Sequence, residues 1–138
     1  MGKKYAANLN TRIAEGAHIF KITEAEYNAI KESVHFTFTL QNGQKHFENL
    51  YLLKNSGEVN QFAVNHAARI VANAMQDSMI EELDTDVLPD CIGKFILAEV
   101  QYQEYNGKTY ERFNPFGYDY ADAYELTSAK KDDLDNLF

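Results

Sequence analysis

From Gly16 the chain falls into alternation. In GAHIFKITEAEY, His18, Phe20 and Ile22 share one side and Ile19, Lys21 and Thr23 the other, the two-residue period of a strand that ends or bulges at Ala25 and Glu26. VHFTFTL repeats the pattern: Val34, Phe36, Phe38 and Leu40 face one way, His35, Thr37 and Thr39 the other. Asn42-Gly43 follows, a dipeptide suited to the positive backbone angles of a tight hairpin turn. On the return, His46, Leu50 and Leu52 fall on the core face, and Phe47, Asn49 and Tyr51 on the opposite one. A second hairpin occupies CIGKFILAEVQYQEYNGKTYERF, where Ile96, Ala98, Val100 and Tyr102 alternate with Leu97, Glu99 and Gln101 and Asn106-Gly107 makes the turn.

Between the hairpins the period changes. Val59, Phe62, Ala63, His66, Ala67, Ile70 and Ala74 recur at three and four, which predicts a helix with Ser56 as its N-cap. His66 lies on the apolar stripe, where a packed or hydrogen-bonded histidine is expected rather than a ligand. The acidic stretch that follows carries Met79, Ile80 and Leu83, which predicts a short second helix closed by Pro89. Three strands, a helix and two strands give a mainly β protein. Its natural closure is a five-stranded Greek-key barrel, the OB-fold, with the helix between the third and fourth strands. Residues 1–15 are polar and mixed, an arm outside the barrel. The barrel is expected over 16–124, with a flexible acidic tail over 125–138.

Length and composition narrow the class. A chain of 138 residues makes about one domain, and 45% hydrophobic residues is ordinary, but 13% aromatics (nine Tyr, nine Phe) is a surplus to be explained. No window approaches the roughly 20 apolar residues of a membrane span, and MGKKYAANLNTR lacks a signal peptide's apolar segment. The Met-Gly start is no myristoylation site, since Ala6 stands where Ser or Thr is required. One cysteine, Cys91, cannot pair within the chain, which fits a reducing cytoplasm. The net charge of −8 argues against a uniformly basic surface, although Asp77, Glu81, Glu82, Asp84, Asp86 and Asp90 crowd one stretch and leave room for a local basic face elsewhere.

The residues do not make a catalytic site. The four histidines (His18, His35, His46, His66) are scattered without metal-ligand spacing, and there is neither a phosphate-cradling glycine loop nor a nucleophile elbow. Asp84-Thr85-Asp86 suits a solvated acidic loop better than a nuclease's metal site. No enzyme, metal or cofactor is expected. The aromatics point elsewhere. A nucleic-acid base stacks on Tyr or Phe without its sequence being read, and neighbouring Lys or Arg neutralise phosphates. Tyr105, Lys108, Tyr110 and Arg112 put two rings and two cations at one hairpin tip, Phe47 and Tyr51 share a face with Asn49, and Lys21 lies opposite Phe20 and Ile22.

The order GAHIFKITEAE, a Phe/Thr-alternating strand, KHFENLYLL, a helix and IGKFILAEVQYQEYNGKTYERF resembles phage-encoded single-stranded DNA-binding proteins of the OB-fold type over residues 16–118, with EYNGKTYERF the most specific piece. The resemblance implies a replication and recombination role in the bacterial host cytoplasm, with Lys21, Phe47, Tyr51, Tyr105, Lys108, Tyr110 and Arg112 at or near the DNA. DDLDNLF is similar to the acidic tip of bacterial single-stranded DNA-binding proteins. That similarity implies that Asp132, Asp133 and Asp135 steer toward a basic partner while Leu137 and Phe138 fill an apolar pocket on it. Single-stranded DNA and replication or recombination proteins are the expected partners, with no membrane involved and homo-oligomers left open. The alternatives are an OB-fold protein-interaction module that does not bind DNA, or a metal-dependent nuclease built on 77–90.

Overall fold

The computed structural model describes residues 2–5 and 12–122. Its elements are β1 (Gly16–Asn28), β2 (Ser33–Thr39), β3 (Lys45–Tyr51), helix α1 (Gln61–Met75), a 3-10 helix (Thr85–Cys91), β4 (Phe95–Tyr105), β5 (Lys108–Phe113) and β6 (Asp119–Tyr120). The strands form one antiparallel sheet in the order β3-β2-β1-β4-β5, with β6 on the same edge of β4 as β5. The protein is therefore mainly β with one α-helix among the described residues, and that helix lies between the third and fourth strands as expected.

The alternation sets the core. Phe20, Ile22, Val34, Phe36, Phe38, Leu50, Ile96, Ala98, Val100 and Phe113 are buried on one face of the sheet, and α1 covers it with Ala63, Ala67, Ile70 and Ala74. Phe113, on the last long strand, lies 4.9 Å from Phe20 and 5.0 Å from Phe38, between ring centroids. A flat sheet could not bring those rings together across β4 and β1, so the sheet is rolled. It is not closed: among the described residues no backbone ladder joins β3 to β5. Side chains span that seam instead. Buried His46 of β3 bonds to Glu111 of β5 and stacks on Phe113 with ring centroids 3.8 Å apart.

Several local details differ from the sequence expectation. The N-cap of α1 is Asn60, whose side chain accepts from the Ala63 N–H at 3.4 Å, not Ser56. A Leu53–Val59 bridge consumes residues 54–58 in a tight turn with Gly57 at φ 88°, so the helix cannot begin earlier. Strand β1 does not stop at Ala25 but continues to Asn28 past a register shift between Ile22 and Glu24, which keeps Ala25 buried. In the first hairpin Gly43 alone takes positive φ, and the loop is a turn closed from Gly43 N–H to Leu40 C=O followed by that glycine bulge. Asn106 and Gly107 both take positive φ, as expected of the second turn. The stretch after α1 forms a 3-10 helix that contains Pro89 rather than ending before it. Ile13, within the polar arm, is 1% exposed and belongs to the core.

Candidate nucleic-acid interface

Strand register shows which side chains share the sheet's outer face. Lys45, Thr39, Lys21 and Phe95 form one row across β3, β2, β1 and β4, and the next row pairs Phe47 with Thr37 and Thr37 with Glu24. Asn49 pairs with His35 and Tyr51 with Ser33 farther along the same face. On the other side of β1, the face continues through Glu99, Gln101, Gln103 and Tyr105 of β4, which pair with Arg112, Tyr110 and Lys108 of β5 from Gln101 onward. The outer face thus carries all of Lys21, Phe47, Tyr51, Tyr105, Lys108, Tyr110 and Arg112. None of them lies on the sheet's core face.

Aromatic exposure on this face is high. Tyr105 is 65% exposed, Phe47 55%, Tyr51 54% and Tyr110 41%, and Phe47 and Tyr51 sit beside buried His46, Leu50 and Leu52 on the same strand or just past its end. The Phe47 ring stacks on His35 at 6.0 Å and 21°. The Lys21 Nζ lies 5.9 Å from the centre of the Phe95 ring, close enough for a cation–π contact that holds the ammonium at the surface.

Two clefts flank β3 and meet at one residue. A cavity of about 490 Å³ lies between the β1–β2 hairpin end and β3, lined by Tyr27, Lys31, His35, Asn49 and Tyr51 among others. A second, of about 670 Å³, follows the β3–β5 seam and is lined by Asn49, Gln101, Gln103, Arg112 and Phe62 among others. Asn49 lines both. Tyr51 from the first hairpin and Arg112 from the second are thereby brought onto one groove. Lys21, Phe47, Tyr105, Lys108 and Tyr110 line neither cavity and stand on the surface beside it. Lys45 shares the alternation that picked out Phe47 and was legible by the same rule. Lys31 reaches the groove because the hairpin end folds toward Tyr51, for which the sequence carries no signal.

A polar chain runs under the groove. His35 Nδ1 is 2.7 Å from Asn49 Oδ1, His35 Nε2 is 3.0 Å from Thr37 Oγ1, and Thr37 donates to Glu24 at 2.9 Å. Fully buried Thr37 needs those partners. At the seam, His46 lies between two carboxylates, Glu48 at 2.7 Å and Glu111. Burial alone pushes the imidazole down, but hydrogen bonds and negative charge from Glu48 and Glu111 outweigh it and raise the pKa above the usual histidine value. His66 is the packed histidine expected: burial lowers its pKa, and its Nε2 is 2.8 Å from the Tyr118 hydroxyl, a phenol that burial holds well above its ordinary pKa. The neutral ring therefore accepts from the phenol. Cys91 is buried, and its thiol is pushed up to about 11 by burial and then by Asp90.

No protein-family model and no curated protein matches this chain. Among the described residues no group of three or more His, Cys, Asp or Glu is placed to hold a metal ion. In the 77–90 segment Asp84 accepts from the Asp86 N–H and Asp77 from the Met79 N–H, so these carboxylates cap the turns that follow them. No helix among the described residues is long and apolar enough to cross a membrane. Asp132, Asp133, Asp135, Leu137 and Phe138 lie outside the described residues.

Proposed function

We propose that the rolled sheet is an OB-fold barrel that binds single-stranded DNA, without strong sequence preference, along the groove of its outer face. One observation carries this reading: exposed rings and cations from both hairpins share that face, and two clefts meeting at Asn49 run beside them. Bases stack on Phe47, Tyr51, Tyr105 and Tyr110, while Lys21, Lys45, Lys108 and Arg112 neutralise phosphates. The role is to coat and protect single strands during phage DNA replication and recombination in the host cytoplasm, with the 132–138 segment recruiting replication or recombination proteins.

Titration of a fluorescent oligo-dT at two salt concentrations tests this directly. Four phosphate contacts set the steepest slope of log affinity against log salt at about −3, at roughly −0.7 each, and neighbouring carboxylates make it shallower. Lys108→Gln should weaken binding and make the slope shallower by about 0.7. Absence of binding at low salt refutes the proposal. A slope unmoved by Lys108→Gln removes that lysine from the backbone path. The competing reading, a barrel that binds protein instead, draws on Leu53, Val59 and Phe62, which are exposed together where β3 leads into α1. It predicts no oligonucleotide binding at either salt.

A further inference from the structure

The chain Asn49–His35–Thr37–Glu24 crosses β3, β2 and β1 and ends in the groove. Its hydrogens can be counted. Thr37 has one hydroxyl hydrogen, and it goes to the Glu24 carboxylate, which only accepts. The Thr37 oxygen must then accept from His35, so His35 Nε2 carries a proton. Nδ1 faces the Asn49 amide at 2.7 Å and has two options. A charged ring donates from Nδ1 to the amide oxygen and leaves the Asn49 NH2 free toward the groove. A neutral ring accepts from the NH2 and turns the amide carbonyl outward instead. Because Asn49 lines both clefts, whichever group is left over faces whatever occupies the groove.

Resting on the single-stranded DNA reading, we propose that Asn49 reads base edges and that His35 is a positioning residue whose protonation sets the hydrogen-bonding sense of that reading. With His35 charged, Asn49 presents donors and favours bases bearing a keto oxygen, such as thymine O4. With His35 neutral it presents an acceptor and favours bases bearing an amino group, such as cytosine N4. The groups around the ring define its setting. Glu24 acts through Thr37, Glu26 is the cross-strand partner of His35 on β1, Phe47 stacks on the ring from β3, and Lys31, Tyr27 and Tyr51 line the same cavity. The preference is modest and lies on top of a grip made by stacking and phosphate contacts, so the protein still coats any sequence.

The test is the ratio of affinities for oligo-dT and oligo-dC measured from about pH 5.5 to about pH 8, the range in which imidazoles change charge. A ratio cancels effects that act on both oligomers alike, including any change in stability. In the wild type, dT should lose ground to dC by roughly five- to tenfold as pH rises, the discrimination of about one good hydrogen bond. His35→Phe keeps a ring over Phe47 but cannot titrate or bond to Asn49, and Asn49→Ala removes the reading group. In both variants the ratio should be independent of pH while both oligomers still bind. A wild-type ratio that ignores pH, or a pH response that survives in Asn49→Ala, overturns the proposal and leaves single-strand binding intact. Failure of the wild type to bind either oligomer overturns the binding reading and this inference with it.

Discussion

Replacing His46 with phenylalanine keeps a flat ring against Phe113 but withdraws the imidazole that bridges Glu48 and Glu111 across the seam between β3 and β5. Breaking a buried charge pair by removing one partner costs about 3–5 kcal/mol, most of it the desolvation of the charge left behind. Here the carboxylates are not fully sealed, with side-chain exposures of 16% for Glu48 and 26% for Glu111, so each recovers some hydration. The expected loss is therefore about 2–4 kcal/mol, a fall in Tm of roughly 10 °C for a domain of this size. Adding Glu48→Gln and Glu111→Gln to His46→Phe removes the stranded charges and should restore most of the stability. Urea and thermal unfolding measure both effects. A single variant within about 0.5 kcal/mol of wild type, or a triple variant no more stable than the single, refutes the charge origin of the clasp.

The same clasp has a pH signature. The folded-state pKa of His46 is raised, so the native protein holds that proton more tightly than the unfolded chain does. Its stabilisation is complete below the unfolded value of about 6.5 and is lost as pH rises through the folded value. His66 works in the opposite sense. Burial lowers its pKa, so acid protonates the unfolded chain first and stability falls as pH drops below about 6.5. The two partly cancel in the wild type, and the difference between wild type and His46→Phe isolates the clasp. That difference should be largest near pH 6 and shrink toward alkaline pH; a difference that grows with pH contradicts the assignment.

Two further outcomes follow from the outer face and the tail. Tyr105→Ala and Tyr110→Ala should each weaken single-strand binding by about 1–3 kcal/mol while Tm barely moves, because both rings are exposed beside the Asn106-Gly107 turn; unchanged affinity in both, or a large fall in Tm, defeats the stacking role. Phe138→Ala leaves every charge in place, so oligonucleotide affinity should hold while capture of a replication protein in a pull-down falls sharply, and capture equal to wild type removes the recruiting role from the 132–138 segment.

The hairpins were legible because alternation fixes which residues share a face, and a one-residue slip would have turned Phe36 and Phe38 outward. The helix was legible for the same reason, at period 3.6. Its start was not, since the Leu53–Val59 bridge that displaces it is a pairing the local pattern does not encode. Strand β6 has two residues, too few to show a period, and Ile13 is a lone apolar residue that packs into the core formed by distant strands, where the Tyr102 hydroxyl bonds to its carbonyl. The candidate interface divides along the same line. Face membership of Lys21, Phe47 and Tyr51 came from alternation, and the grouping of Tyr105, Lys108, Tyr110 and Arg112 from the Asn106-Gly107 turn between them. The groove comes from β3 meeting β5, joined by a His46–Glu111 contact 65 residues apart in the chain. Periodicity says which way a side chain points, not which sheet edges come together, so the groove could not be drawn beforehand.

A chain of net charge −8 that grips a polyanion needs its acid kept off the gripping face, and the placement of carboxylates bears on how it would do so. Glu48 and Glu111 are both engaged by His46, although Glu48 still lines the seam cleft. Glu24 is tied to Thr37. Asp77, Glu81, Glu82, Asp84, Asp86 and Asp90 belong to the stretch after α1, whose 3-10 helix packs against α1 and β1 and donates apolar Leu88 to the core. What remains on the face of Lys21, Lys45, Lys108 and Arg112 are Glu26 and Glu99, while Glu15 and Glu48 line the seam cleft. Cations so nearly matched by acids neutralise few phosphates net, whereas four exposed rings at about 1–3 kcal/mol each supply most of an ordinary affinity. Binding carried by stacking keeps its strength as salt rises. A protein built this way would hold single strands with a shallow salt slope, and the slope is the quantity that separates it from a binder that works by charge.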